Sequence, residues 1–166
     1  MRIIGLAGWS GAGKTTLLTR LIPCLIGRGI SVSTVKHAHH AFDVDQPGKD
    51  SFSHRQAGAA QVLVSSANRW ALMTELRGAP EPPLEELLAQ LSPVDLVIVE
   101  GFKREVLPKI EVHRAEAGKP WLYPDDPLIH AVAADVAPPE GAPFAVALDD
   151  IEAIADAALR LAGDRL

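Results

Sequence analysis

Short apolar runs alternate with longer amphipathic stretches along the 166-residue chain. The apolar runs predict β-strands at about 2–7, 31–36, 61–66, 69–75, 94–99, 109–113, 129–134 and 143–148. The amphipathic stretches predict helices at about 14–28, 51–58, 83–91 and 149–162, the first of which Pro23 should kink or shorten. This alternation indicates an α/β protein in which helices flank a mostly parallel central sheet, and we expect one domain, residues 1–166.

Two long polar stretches, residues 36–52 and 102–127, interrupt the regular pattern. They contain most of the histidines and many of the lysines and arginines. Because polar connections of this length are uncommon in compact domains, both are predicted to be functional loops. By contrast, "VDLVIVE" at residues 94–100 is apolar without alternation, which is typical of a strand covered on both faces.

A glycine-rich stretch follows the first predicted strand. Residues Gly8 to Thr15 fit the pattern G-x-x-x-x-G-K-[ST], and a predicted helix begins directly after it. Glycines allow the backbone N–H groups and the helix N-terminus to surround an anion, and a lysine then reaches the outer phosphates. The chain is therefore predicted to be a single-domain P-loop NTPase. The expected phosphate-binding residues are Gly8, Ser10, Gly11, Ala12, Gly13, Lys14, Thr15 and Thr16.

A bound nucleoside triphosphate is expected to carry Mg²⁺, which takes one or two protein ligands and keeps several waters. The Thr15 hydroxyl is one expected ligand. Glu100 is the other, because it ends a predicted strand, whereas Asp95 begins the same strand and should lie at the opposite edge of the sheet.

Further charged residues and histidines form a candidate second-ligand or switch segment. They are predicted to lie near the phosphates, the magnesium or a second anionic ligand; a dedicated transition-metal site and ordinary solvated surface charge are the alternatives. The set comprises Lys36, His37, His39, His40, Asp43, Asp45, Lys49, Asp50, Arg55, Lys103 and Arg104.

The formal net charge of −5 argues against bulk attraction to nucleic acid or to an acidic membrane. No apolar run approaches the roughly 20 residues needed to cross a bilayer. The single cysteine, Cys24, lies in an apolar stretch and is expected to be an ordinary buried thiol. A cytoplasmic protein with no nucleic-acid or membrane partner is expected.

Three stretches together resemble the molybdopterin-guanine dinucleotide biosynthesis protein B family. They are "GWSGAGKTTLL", "VKHAHHAFDVDQPGKDSFSHRQAGA" and "DLVIVEGFKREVLPKIEV", and the resemblance covers about residues 1–113 well. The middle stretch carries the identification, since many families share phosphate loops, whereas H-x-H-H followed by D-x-D-x-P-G-K-D-S is far more specific.

The resemblance implies a GTP-binding accessory protein that assists a separate guanylyltransferase in attaching GMP to molybdopterin. It further implies Mg²⁺, at most weak GTPase activity, a homodimer, and molybdopterin itself as a candidate ligand. The residues alone also allow a small-molecule kinase or an ATP-dependent ligase that uses the same phosphate loop.

The N-K-x-D pattern that commonly reads guanine is absent from the chain. Asp135, at the end of the strand "AVAAD", is a candidate to accept hydrogen bonds from the guanine edge, and an acid without ligand contact is the alternative. Guanine preference therefore rests on the resemblance.

Overall fold

The structure, a computed structural model, describes residues 1–38, 42–102 and 105–164. Its internal contacts divide the chain into two compact units. The first, the sheet unit, comprises Met1–His37 and Leu84–Leu166, and the second, the hairpin unit, comprises Ala38–Pro83. The expectation of one domain stays a prediction.

The sheet unit is built on six parallel strands. In chain order they are β1 (Arg2–Ala7), β2 (Val32–Lys36), β5 (Leu96–Glu100), β6 (Lys109–His113), β7 (Ile129–Ala134) and β8 (Phe144–Ala147). In space the order is β2-β5-β1-β6-β7-β8, and every neighbouring pair along this path is parallel. β1 is therefore central, and its carboxyl end opens between the ends of β5 and β6.

A two-residue strand, β9 (Gly163–Asp164), runs antiparallel to the first residues of β1. β1 pairs with β6 only from Gly5 onward. β9 pairs with Arg2 and Ile3, the first residues of β1, which β6 does not reach. The apolar pattern did not predict this strand.

Helices cover both faces of the sheet. On one face α1 (Lys14–Gly27) and α4 (Ile151–Leu161) pack apolar side chains such as Leu21 and Ile154 against Ile4 and Ile98. The opposite face is covered by α3 (Leu84–Ala89), whose leucines pack with alternate strand residues such as Ile3, Val97 and Val99. β5 is buried along its whole length, as its unbroken apolar run predicted.

The hairpin unit contains α2 (Asp50–Gln56) and an antiparallel pair, β3 (Gln61–Ser65) and β4 (Trp70–Thr74). All eight predicted strands and all four predicted helices are present, and none of their ends differs from the prediction by more than two residues. The α1 helix continues through Pro23 to Gly27. Within the described ranges, no helix is long and apolar enough to pass through a bilayer.

Candidate functional site

The phosphate loop lies between the carboxyl end of β1 and the first turn of α1. Gly8, Gly11 and Gly13 have φ values of 147°, 83° and 91°, a range that side chains other than glycine rarely adopt. Gly13 caps the helix, and its backbone carbonyl accepts from the N–H of Leu17. The pattern predicted the position of this turn and of the start of α1, and phosphate binding by the loop stays a prediction.

The lysine of the loop lies against the loop's own backbone. Lys14 Nζ donates to the carbonyl oxygens of Gly8 at 2.8 Å and Trp9 at 3.1 Å. Its ammonium group therefore lies beside the loop, close to the N-terminus of α1. This arrangement concentrates donors and positive charge where an anion is expected to bind.

Glu100 ends β5 beside the end of β1, in register with Leu6. Its side chain is 11% exposed, and Oε2 lies 3.8 Å from Nζ of Lys36, a residue that ends the neighbouring strand β2. A carboxylate at this edge fits the oxygen chemistry that Mg²⁺ requires, and the Lys36 ion pair is long and half open to solvent. Thr15, in the first turn of α1, is exposed.

Asp95 lies at the other end of the same strand, as predicted. Its carboxylate accepts from the backbone N–H and the hydroxyl of Ser31, at 2.8 Å and 2.6 Å, and the Asp95 N–H donates back to the Ser31 hydroxyl. These hydrogen bonds lower the pKa of Asp95. Asp95 therefore joins the start of β5 to the entry into β2 and is distant from the phosphate loop along the strand.

The segment after Glu100 approaches the segment after β2 very closely. The N–H of His37 donates to the Glu100 carbonyl at 2.8 Å, and the His37 ring packs on Phe102 with centroids 5.2 Å apart. A Cβ on Gly101 would lie 2.9 Å from the His37 carbonyl oxygen, and Gly101 has a φ of 93°. Gly101 therefore allows the two backbone segments to approach closely.

Three acidic side chains of the hairpin unit converge on Arg55. Its guanidinium lies 2.7 Å from Asp43 Oδ2, 3.2 Å from Asp45 Oδ2 and 2.8 Å from Glu75 Oε1. The arginine side chain is only 11% exposed, and Phe52 lies beneath it. Asp43 and Asp45 are therefore paired with Arg55. Because three carboxylates already bind its guanidinium, we do not expect Arg55 to bind the second anionic ligand. We name these four ionic residues the Arg55 cluster.

Other members of the proposed second-ligand segment are placed as follows. Lys49 caps α2 through its backbone and Asp50 begins that helix, and both side chains are exposed. His39, His40, Lys103 and Arg104 lie outside the described residues. In the part of the chain that the structure describes, no group of three or more histidine, cysteine or acidic side chains is arranged to hold a metal ion. The structure thus brings Lys36 and His37 to Glu100 and, within the hairpin unit, pairs Asp43 and Asp45 with Arg55.

Sequence reasoning did not select Arg114, which lies directly after β6 beside the phosphate loop. A Cβ built on Gly13 would be 2.6 Å from Arg114 Nε and 3.4 Å from Nη2. The following N–H, that of Ala115, donates to Asp135 Oδ1 at 2.9 Å. Asp135 follows β7, as expected, but one of its oxygens holds the chain beside Arg114. Contact between Asp135 and a guanine base stays a prediction.

A buried glutamate shapes the loop that follows Arg114. Glu111, in β6, is fully buried and accepts from the N–H groups of Leu122 and Tyr123 at 2.8 Å and 2.9 Å. Burial raises its pKa, and the two backbone donors partly oppose that shift. Trp121 stacks on His113 with ring centroids 3.7 Å apart. A charged residue inside a predicted strand was the available signal for this role.

Residues 3–135 match the family model of molybdopterin guanine dinucleotide synthesis protein B. The molybdopterin-guanine dinucleotide biosynthesis adapter protein of Escherichia coli (strain K12) is 47% identical over 158 residues, covering 93% of this chain and 89% of that protein. The adapter protein of the same name from Haemophilus influenzae (strain ATCC 51907 / DSM 11121 / KW20 / Rd) is 49% identical over 134 residues, covering 79% and 73%.

Solved structures agree on the fold. A crystal structure of molybdopterin-guanine biosynthesis protein B aligns with a TM-score of 0.72 at 28% identity, covering 96% of this chain and 99% of that one. A homologue from Bacillus stearothermophilus aligns with a TM-score of 0.68 at 25% identity, covering 96% and 97%.

Proposed function

Because the chain belongs to the molybdopterin guanine dinucleotide synthesis protein B family, we propose that it is a GTP-binding adapter in molybdopterin guanine dinucleotide biosynthesis. The observation that carries this proposal is the intact phosphate loop at the carboxyl end of the central strand β1, with the Glu100 carboxylate on the neighbouring strand. Ligands of open α/β sheets bind beyond the carboxyl ends of the strands, at this edge. The adapter acts in the cytoplasm.

The loop binds the phosphates through backbone donors and one lysine. Successive N–H groups from Gly11 to Thr15 and the N-terminus of α1 surround the α- and β-phosphates. Lys14 Nζ exchanges the carbonyl oxygens of Gly8 and Trp9 for phosphate oxygens, which as charged acceptors form stronger hydrogen bonds.

Glu100 and the Thr15 hydroxyl are the residues that would hold a magnesium ion. When bound, Mg²⁺ neutralises charge on the outer phosphates. Lys36, 3.8 Å from Glu100, is exposed enough to turn away into solvent when the carboxylate takes a cation. The ion pair between Lys36 and Glu100 therefore competes only weakly with a metal ion for the carboxylate.

Turnover of GTP by this chain alone is slow. Hydrolysis needs a side chain that orients the attacking water, and no glutamine follows Glu100 and Gly101 in the sequence. His37, which follows β2, is packed on the Phe102 ring. The site therefore favours holding the nucleotide for a partner, a guanylyltransferase, over cleaving it.

A second copy of the chain is the proposed partner of the hairpin unit. Leu63, Leu72 and Trp70 lie on one face of the β3–β4 pair and are 60%, 42% and 65% exposed. A two-stranded sheet is marginally stable in isolation, and pairing this face with its equivalent would bury it. The homodimer is tested by the molar mass in solution of Leu72→Glu, with Val136→Glu, an equally exposed valine of the sheet unit, as the control.

Calorimetric titration with GTP and ATP, with and without Mg²⁺ and the pathway's guanylyltransferase, tests the function. We expect Mg²⁺-dependent binding that prefers GTP, and tighter binding of the partner when GTP is bound. Lys14→Ala should weaken GTP binding by about 2 kcal/mol through loss of a charge-assisted donor. Lys119→Ala, an exposed lysine elsewhere in the sheet unit, is the control. Equal affinity of wild type and Lys14→Ala for GTP would contradict the proposed site.

A further inference from the structure

We propose that Arg114 binds the α- and β-phosphates of the nucleotide, as a side-chain donor that completes the phosphate loop from a neighbouring strand. This inference rests on the proposed function, because it assigns a further binding residue to the same site. The position of the guanidinium, its electrostatic surroundings and the bonds that hold its backbone each support the assignment.

The position follows from the pairing of β6 with β1. Three successive pairs, from Gly5–Lys109 to Ala7–Glu111, carry the end of β6 along the loop. There a Cβ on Gly8 would lie 2.6 Å from the Val112 carbonyl oxygen, and one on Gly13 would lie 2.6 Å from Arg114 Nε. The guanidinium thus packs directly on the glycine whose neighbouring N–H groups cradle the α- and β-phosphates in loops of this kind.

The electrostatic surroundings favour an anion. The first turn of α1 contains no acidic residue, and Lys14 already places one ammonium at this loop. Within the described ranges, no carboxylate forms an ion pair with Arg114. A cation beside the positive end of a helix dipole is unfavourable unless an anion lies between them. A phosphate converts that repulsion into bidentate, charge-assisted hydrogen bonding, which suits a planar guanidinium.

The backbone that carries Arg114 is held from several sides. The Ala115 N–H donates to Asp135, and Trp9, inside the phosphate loop, donates from its indole nitrogen to the Pro120 carbonyl at 2.8 Å. Glu111 fixes the far side of the same loop through two backbone N–H groups. Ligand binding therefore loses less conformational entropy than it would if this loop were unconstrained. The arginine already lies at the phosphate loop before the ligand binds.

The test measures binding of three probes by calorimetry in Mg²⁺: GTP, GDP and inorganic tripolyphosphate. We expect Arg114→Ala to reduce affinity for all three by about 10- to 100-fold, the loss of a hydrogen-bonded charge. Arg114→Lys should lie between Arg114→Ala and wild type, because an ammonium keeps the charge without the planar fork. Lys119→Ala removes the same charge from the same loop and should change affinity less than twofold.

Salt dependence provides a readout that a purely structural arginine would not alter. Screening weakens phosphate contacts of charged side chains, so Arg114→Ala should show a shallower fall of affinity with salt than wild type. Arg114→Gln, which retains length and polarity, replaces Arg114→Ala if thermal unfolding shows that the alanine variant is not folded.

Three results overturn the inference in distinguishable ways. If wild type binds GTP and tripolyphosphate and Arg114→Ala binds both equally well, Arg114 is not a ligand contact and the proposed function stands. A loss for GTP and GDP without a loss for tripolyphosphate assigns Arg114 to the nucleoside instead of the phosphates. Should wild type bind neither GTP nor tripolyphosphate, the proposed function fails and takes this inference with it.

Discussion

Two glycines of the phosphate loop differ in what surrounds them, although both have positive φ. At Gly8 a Cβ would lie 2.6 Å from the Val112 carbonyl oxygen, which belongs to the backbone of a central strand and cannot move aside. At Gly11 nothing lies within 4 Å of the built Cβ. Backbone conformation accounts for both glycines, but close packing of the sheet adds a second requirement at Gly8 alone.

We expect Gly8→Ala to lower the free energy of unfolding by more than Gly11→Ala does. Strain at an unusual φ costs of order 1–3 kcal/mol in either variant, and the collision with Val112 adds to it only at position 8. Urea unfolding of the two variants beside wild type measures the difference. Equal losses would show that the strand has moved to accommodate the added methyl group.

At the scale of elements, the Arg55 cluster joins the segment before α2 to the end of the hairpin. Asp43 and Asp45 precede the helix, Glu75 follows β4, and Arg55 lies in the helix between them. Arg77 adds hydrogen bonds to the carbonyl oxygens of Arg55 and Ala59. Val62 is the one buried apolar side chain in the described part of this unit, so we expect the Arg55 cluster to help order it.

Arg55→Met should loosen the hairpin unit while leaving the sheet unit intact. Removing the guanidinium leaves three neighbouring carboxylates to repel one another. Amide hydrogen exchange of residues 43–56 should accelerate, and that of β1 and β5 should not change. Arg69→Met, at the exposed turn of the hairpin, is the matched control. Unchanged exchange in both units would show that the cluster does not order the segment.

The same cluster predicts a dependence on pH. Hydrogen bonding from Arg55 is the main cause that lowers the pKa of Asp43 in the folded chain. The stabilisation is therefore fully present above the unfolded-state pKa of about 3.9 and is lost as pH falls through the lower folded-state value. Thermal unfolding between about pH 6 and pH 2 should show this acid loss in wild type and a smaller one in Asp43→Asn. Parallel profiles would contradict the assignment to Asp43.

At the scale of the whole molecule, the two ends of the sheet unit differ in role. At the amino end of β5, Asp95 and Ser31 exchange hydrogen bonds that join strand entries, and β9 closes the space below β6. At the carboxyl end lie the phosphate loop, Glu100 and Arg114. Hydrogen bonds that join strand entries lie at one edge, and the side chains proposed to contact the nucleotide lie at the other.

This division predicts opposite effects for two acids of one strand. Glu100→Gln should reduce Mg²⁺-dependent GTP binding about tenfold or more and leave metal-free binding nearly unchanged, since a neutral amide is a poor magnesium ligand. Asp95→Asn should lower the midpoint of thermal unfolding and spare nucleotide binding. Calorimetry with and without Mg²⁺ and thermal melts of both variants check this. Equal losses of metal-free and Mg²⁺-dependent binding in Glu100→Gln would remove Glu100 from the metal site.

Local chemistry made much of the fold predictable. The glycine spacing before Lys14 determines a turn and a helix start within eight residues, and the apolar run ending at Glu100 determines a buried strand. Both depend on neighbours along the chain. The ends of the elements shifted by a residue or two because terminal hydrogen bonds depend on what lies beside them.

The sequence by itself determined the glycine-rich loop, the parallel α/β class and the family. It also predicted Glu100 rather than Asp95 as the magnesium ligand, and that assignment stays a prediction. Only the tertiary structure decided that Arg114 lies on Gly13, that Asp43 and Asp45 are paired with Arg55, and that β9 extends the sheet. The physical reason is range. Spacing fixes contacts within a turn or a strand, whereas these contacts join separate elements, and strand order and side-chain packing bring them together.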